Sequence, residues 1–116
     1  MSPRQDAAVA VSVLVVTYNH ARFVRQALDG ALAQRLPQPF EILISEDCST
    51  DGTREIVQGY AESHPDVIRL LLSERNLRSN EVVARGFRAA RGRYVALLDG
   101  DDYWTSPQKL QRQADF

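Results

Sequence analysis

Cysteine and lysine are almost missing from this chain of 116 residues: each occurs once, as Cys48 and Lys109. One cysteine excludes an internal disulfide and any cysteine cage for zinc. Histidine is scarce as well, and neither His20 nor His64 has a partner at metal-ligand spacing. Net charge is only −1, so nothing marks an electrostatic binder of nucleic acid. Long apolar runs are absent too. The longest, Ala7 to Val16, is apolar apart from Ser12 and far too short to span a bilayer. Arg4 precedes it, as in a secretory signal, but it runs straight into Thr17-Tyr18-Asn19 with no cleavage-like region. It reads as a first core strand. A cytoplasmic location is the expectation, with the inner face of a membrane as the second place to look.

What is present suits one soluble domain. Hydrophobic residues make up 44% and charged residues 25%, ordinary values for a globular protein. Thirteen of the fourteen cationic residues are arginine, whose planar fork can bond two phosphate oxygens at once. Residues 1–10 read as a flexible leader and 11–116 as the domain.

Within that domain apolar runs alternate with helical patterns. Val11–Val16, Phe40–Ile44, Val67–Leu72 and Arg93–Leu98 read as strands. Between them, 21–34, 53–63 and 81–91 show helical spacing, the first with Val24, Ala27, Leu28, Ala31 and Leu32 on one face. Asn19 or His20 is the expected cap of the first helix, and Gly92 the expected end of the third. Pro107 suits the first turn of a last helix, running toward Phe116. Strands alternating with helices of this length predict a three-layer α/β/α fold with a mostly parallel, Rossmann-like sheet. Its strands are covered on both faces, so they read as continuous apolar runs.

In such a sheet, ligands bind beyond the carboxyl ends of the strands. The polar turns after strands one, two and four therefore converge on one edge. After strand one, Tyr18 can lay its ring on a flat base or pack the junction. After strand two, Glu46 and Asp47 can accept hydrogen bonds from a base or a ribose, or add charge near a helix start. Ser49, Thr50 and Asp51 read mainly as capping residues. In the loop 74–80, Arg75 and Arg78 offer guanidiniums to a diphosphate, or simply meet Glu74 and Glu81. After strand four stands Asp99-Gly100-Asp101-Asp102. Carboxylates this close repel unless water or a cation attends them. A hard cation bridging to phosphate would explain the cluster, and so would an acidic, solvated turn. Tyr103 and Trp104 either wall a sugar site or cover the core.

Three stretches taken together resemble family 2 glycosyltransferases: Val11 to Asn19, Phe40 to Thr53 and Ala90 to Trp104. They stand in the family's order and span most of the chain. The resemblance implies the GT-A fold of nucleotide-diphospho-sugar transferases, and an inverting transfer of sugar to an acceptor hydroxyl. It implies a nucleotide-sugar donor, with a UDP-sugar the first expectation, and a divalent cation, Mn²⁺ or Mg²⁺. It assigns the base to Thr17, Tyr18 and Asp47, with Asn19 and Glu46 beside them. It assigns the ribose to Asp101, and the cation to Asp99, Asp101 and Asp102, Asp102 foremost. A glycan or lipid-linked acceptor, a role in cell-wall or polysaccharide synthesis, and a possible homo-oligomer complete the expectation.

Two departures stand against the family pattern. The Arg-Asn pair that many members carry before the glycine of the third helix is replaced by Val83 and Ala84 ahead of Gly86. Arg78 or Arg85 is the candidate substitute at the phosphates. The general base of such enzymes belongs to an acceptor half beyond the acidic motif. The resemblance therefore puts it past Phe116; no catalytic residue is named, and the reading covers a donor-binding half. Two other readings remain at this point: a nucleotide-binding piece without activity, and a Mg²⁺-dependent phosphoryl-transfer or receiver-like domain. The second wants a lysine well after the acidic turn, and Lys109 follows it too closely.

Overall fold

The structure is a computed structural model that describes residues 9–34 and 39–99, apart from the side chains of Arg78, Ser79 and Asp99. The leader before Val9, Pro37, the acidic residues Asp101 and Asp102, Tyr103 and Trp104, and the helix expected from Pro107 toward Phe116 lie outside the described residues.

Four strands and three helices alternate. They are β1 (Val11–Thr17), α1 (Val24–Leu32), β2 (Phe40–Glu46), α2 (Thr53–Ser63), β3 (Ile68–Leu72), α3 (Arg78–Ala89) and β4 (Tyr94–Asp99). All strand pairs are parallel, in the order β3-β2-β1-β4. The three-layer α/β/α architecture expected from the sequence is the one observed.

Side chains alternate across the pleat, and this divides the core in two. Val11, Val13 and Val15 of β1 meet Ile42 and Ile44 of β2 on one face, under Val24, Ala27, Leu28 and Ala31 of α1 and Val57 of α2. The other face takes α3. There a Cβ on Gly86 would strike the Leu14 side chain, and the Ser45 hydroxyl donates to the Val82 carbonyl at 2.9 Å. Glycine at position 86 lets this helix lie directly on β1.

Four helix ends differ from expectation, among them the end of the first helix at Leu32, two residues before 34. The first helix starts at Val24 rather than near residue 21, because 20–23 form a tighter turn: both Phe23 and Val24 donate their N–H to the His20 carbonyl. Neither Asn19 nor His20 caps it with a side chain. The third helix begins at Arg78, three residues early, and closes at Ala90, which is already extended. Gly92 is therefore not its cap. It is required for another reason: a Cβ there would collide with the backbone of Val11 and Ser12, where the chain enters β4 beside β1.

A polar staple lies near the starts of the strands. Glu41, buried in β2, accepts from the Ser12 hydroxyl at 2.6 Å, the Arg91 N–H at 2.9 Å and Arg69 at 2.7 Å. Arg69 also donates to the Ala89 carbonyl, and the Gly92 N–H donates to Ser12 Oγ. Burial works against ionisation of Glu41. The Ser12, Arg91 and Arg69 donors outweigh it and hold the carboxyl below its ordinary value.

Candidate functional site

Strand register brings the carboxyl ends together. Thr17 pairs with Glu46, Val16 with Asp99 and Glu46 with Leu72. The turns after β1, β2 and β3 thus leave one rim, with the last residue of β4 beside them.

The first two turns are stitched to each other. Asn19 takes a left-handed backbone, φ 55°, a conformation that asparagine tolerates better than most residues. Its N–H donates to Ser49 Oγ at 2.9 Å, and its Oδ1 accepts the Thr50 N–H at 2.8 Å. The His20 N–H donates to Thr53 Oγ1 and the Ala21 N–H to Asp51 Oδ2. Thr17 Oγ1 lies 3.1 Å from His20 Nδ1. Asp51 also accepts the Thr53 N–H and hydroxyl. Slight burial opposes its ionisation, but the Thr53 and Ala21 donors keep its carboxyl below the ordinary value. Tyr18, at the tip of the first turn, is 43% exposed. Its ring is presented to solvent, as stacking on a planar ligand would need.

Glu46 and Asp47 are neighbours with different surroundings. Glu46 is fully buried, and its carboxylate accepts the Cys48 and Ser49 N–H groups and the Ser49 hydroxyl. It shapes the turn from within. Cys48, the next residue but one, has φ 62°. Asp47 donates its N–H to the Thr17 carbonyl and accepts the Leu77 N–H on Oδ1 at 2.6 Å. One residue thereby ties together the ends of β1 and β2 and the start of α3.

Arg85 is where sequence reasoning falls short. It does not stand out toward a phosphate. Its guanidinium bonds Ser45 Oγ through Nε at 3.2 Å and through Nη2 at 2.8 Å, Ser73 Oγ at 2.9 Å, the Leu71 carbonyl at 3.0 Å and the Glu46 carbonyl at 3.4 Å. Burial lowers its pKa, with Asp47 and Glu46 pulling the other way. The signal available in the sequence was spacing: an arginine immediately before the sheet-facing Gly86, with one serine inside β2 (Ser45) and another just past the end of β3 (Ser73). A hollow of about 470 Å³ lined by Leu72, Ser73, Glu74, Arg75, Leu77 and Arg85 lies along this side of the rim. A second, lined by Arg25, Tyr60 and His64 among others, lies between α1 and α2.

Of the residues singled out in the sequence, Thr17, Tyr18, Asn19, Glu46 and Asp47 are brought to the rim. Asp99 reaches it by its backbone. Arg78 opens α3 by its backbone. Asp101 and Asp102 lie outside the described residues, as does Phe116, past which the general base is expected. Among the described residues no group of three acidic, histidine or cysteine side chains could hold a metal ion, and no helix is long and apolar enough to cross a membrane.

The family described as Glycosyl transferase family 2 matches residues 12–116. The chain belongs to that family. An uncharacterized protein of Mycobacterium tuberculosis (strain H37Rv) is 41% identical over 91% of this family 2 chain. The succinoglycan biosynthesis protein ExoO of Rhizobium meliloti is 33% identical over 97%. This chain spans 31% of the length of each of them. Among solved structures, S. aureus TarS 1-349 in complex with UDP superposes with a TM-score of 0.80 at 28% identity, over 92% of this chain and 31% of the TarS 1-349 chain. The mannosyltransferase PcManGT of Pyrobaculum calidifontis, in complex with GDP-Man and Mn²⁺, gives 0.75 at 29% identity, over 92% and 32%. The fold is the GT-A fold of these glycosyltransferases.

Proposed function

We propose that this family 2 chain binds the nucleotide-sugar donor for an inverting transfer of sugar to an acceptor hydroxyl. The observation that carries the reading is the register that gathers the turns after β1 and β2 and the end of β4 on one rim. Solved relatives with the same fold hold UDP, or GDP-Man with Mn²⁺.

In this reading the exposed Tyr18 ring stacks on the base, and Thr17 and Asn19 shape the bed beneath it. Asp47 accepts a hydrogen bond from the base, Asp101 holds the ribose, and Arg78 is the cation offered to the diphosphate. Glu46 serves from behind, by fixing the backbone that carries Asp47. The carboxylates of Asp99, Asp101 and Asp102 are hard oxygen donors of the kind that Mn²⁺ and Mg²⁺ prefer, and Asp99 ends β4 at the rim. They fit a divalent cation. When bound, the cation neutralises charge on the departing diphosphate. In the transfer, the acceptor oxygen bonds to the anomeric carbon as the carbon–oxygen bond to the diphosphate breaks. The acceptor proton passes to a general base that no residue up to Phe116 is assigned to be. A UDP-sugar is the first donor to try, with a glycan or lipid-linked acceptor.

The test is calorimetric titration of UDP and GDP with and without Mn²⁺. Heat that depends on Mn²⁺ and is lost in Asp102→Ala is the expected result. Silence with both nucleotides overturns the reading. Binding to a full-length relative carrying this domain, without any sugar transfer, would reduce it to nucleotide binding alone.

A further inference from the structure

We infer that Arg85 is a positioning residue for the nucleotide site: it sets Asp47 at the rim by clamping the carboxyl ends of β2 and β3 from beneath. The inference rests on the donor-binding reading above and deepens it.

The geometry supports this step by step. Arg85 rises from the middle of α3 on the face that packs against β1 and β2. Its five hydrogen bonds fall on two strands, to Ser45 and the Glu46 carbonyl on β2, and to the Leu71 carbonyl and Ser73 at the end of β3. Ser45 and Ser73 are themselves buried. The Glu46 carbonyl belongs to the peptide that leads into Asp47, and Asp47 in turn accepts the Leu77 N–H at the foot of the same helix. The loop is closed: α3 holds the strand ends through Arg85, and the strand end holds the start of α3 through Asp47. A planar fork with three nitrogens suits this task, because it fixes two strands in one plane. Lysine would keep the charge and lose the fork. With Nε, Nη1 and Nη2 each engaged by a protein oxygen, Arg85 serves the strand ends first.

A strap that only stabilises the fold would lower the melting temperature and leave nucleotide affinity alone. A strap that places Asp47 changes affinity, and only while Asp47 is there to be placed. The experiment is a double-mutant cycle in Arg85 and Asp47, read as the Kd of UDP and of GDP in the presence of Mn²⁺, with melting temperatures recorded in parallel. Arg85→Lys is the main variant because it retains the stem and charge, and Arg85→Gln is the second. Ser73→Ala removes one acceptor without touching the β2 end. Arg85→Lys is expected to weaken binding about tenfold in the wild-type background, and by less than about twofold when Asp47→Asn is already present. Ser73→Ala is expected to weaken binding by a smaller factor. Equal losses in both backgrounds, or an unchanged Kd with a lowered melting temperature, overturn the inference. If Arg85→Gln does not fold, the Arg85→Lys cycle decides alone. If the wild-type chain binds neither nucleotide, the donor-binding reading fails first, and a failed cycle on a binding-competent chain is thereby a separate result.

Discussion

Asn19 does two things with one side chain. It accepts the left-handed backbone, φ 55°, and its Oδ1 takes the Thr50 N–H. Asn19→Gly should lose the hydrogen bond and keep the backbone, whereas Asn19→Ala should lose both. The alanine variant is expected to be less stable than the glycine variant by about 1 kcal/mol, measured by urea unfolding; the reverse order would mean that the backbone conformation carries no cost. Asp47 belongs to the same scale. Asp47→Ala leaves the Leu77 N–H without its acceptor and removes a candidate base contact, so nucleotide affinity should fall by about 1–3 kcal/mol in calorimetry. Unchanged affinity would remove Asp47 from the site. The backbone bonds behind these two roles are not visible as a string of letters. Thr17-Tyr18-Asn19 is recognisable as a polar turn after a strand, but the exchange of bonds between residues 19 and 50 depends on register, which only the assembled sheet sets.

Among the elements, strands and the Thr53–Ser63 helix were legible from start to finish or nearly so. Their signals are local: buried parallel strands are continuous apolar runs, and residues 47–52 form a polar turn leading directly into an apolar helical repeat. The early start of α3 was not legible, because its first turn, Arg78-Ser79-Asn80, has no apolar face to show a period. Gly92 misled for a related reason. A glycine after a helix usually relieves backbone strain, and here it relieves a close approach of β4 to β1. The staple of Ser12, Glu41 and Arg69 also escaped, since it joins elements far apart in sequence, and it leads to a test. The Glu41 carboxyl is held below its ordinary value of 4.5 in the folded chain. Its contribution is therefore complete above that value and is lost as pH falls through the lower, folded one. Glu41→Gln should lower stability at neutral pH by about 1–3 kcal/mol and flatten this part of the acid limb in unfolding measured from about pH 7 to pH 3. Parallel acid limbs in the two proteins would dismiss the staple as a source of stability.

At the scale of the molecule, β4 is an edge of the described sheet, and its Tyr94 and Leu97 are each about half exposed. An apolar edge strand is a template for unwanted pairing, and lysine is a common safeguard. Leu97→Lys should raise the concentration at which light scattering begins while stability stays within about 0.5 kcal/mol; an unchanged onset would mean that this edge plays no part in association. The overall site was legible as a convergence of polar turns, because a parallel sheet puts every strand-to-helix turn on the same side. Which side chains build its floor was not. The four bonds by which backbone N–H groups join residues 19–21 to residues 49–53 have one more consequence. Neither turn can breathe by itself: deuterium should enter the amides of Asn19, His20, Ala21 and Thr50 at one common pace, and a nucleotide seated above them would slow all four together, since it would rest on a single hinged plate rather than on two separate flaps.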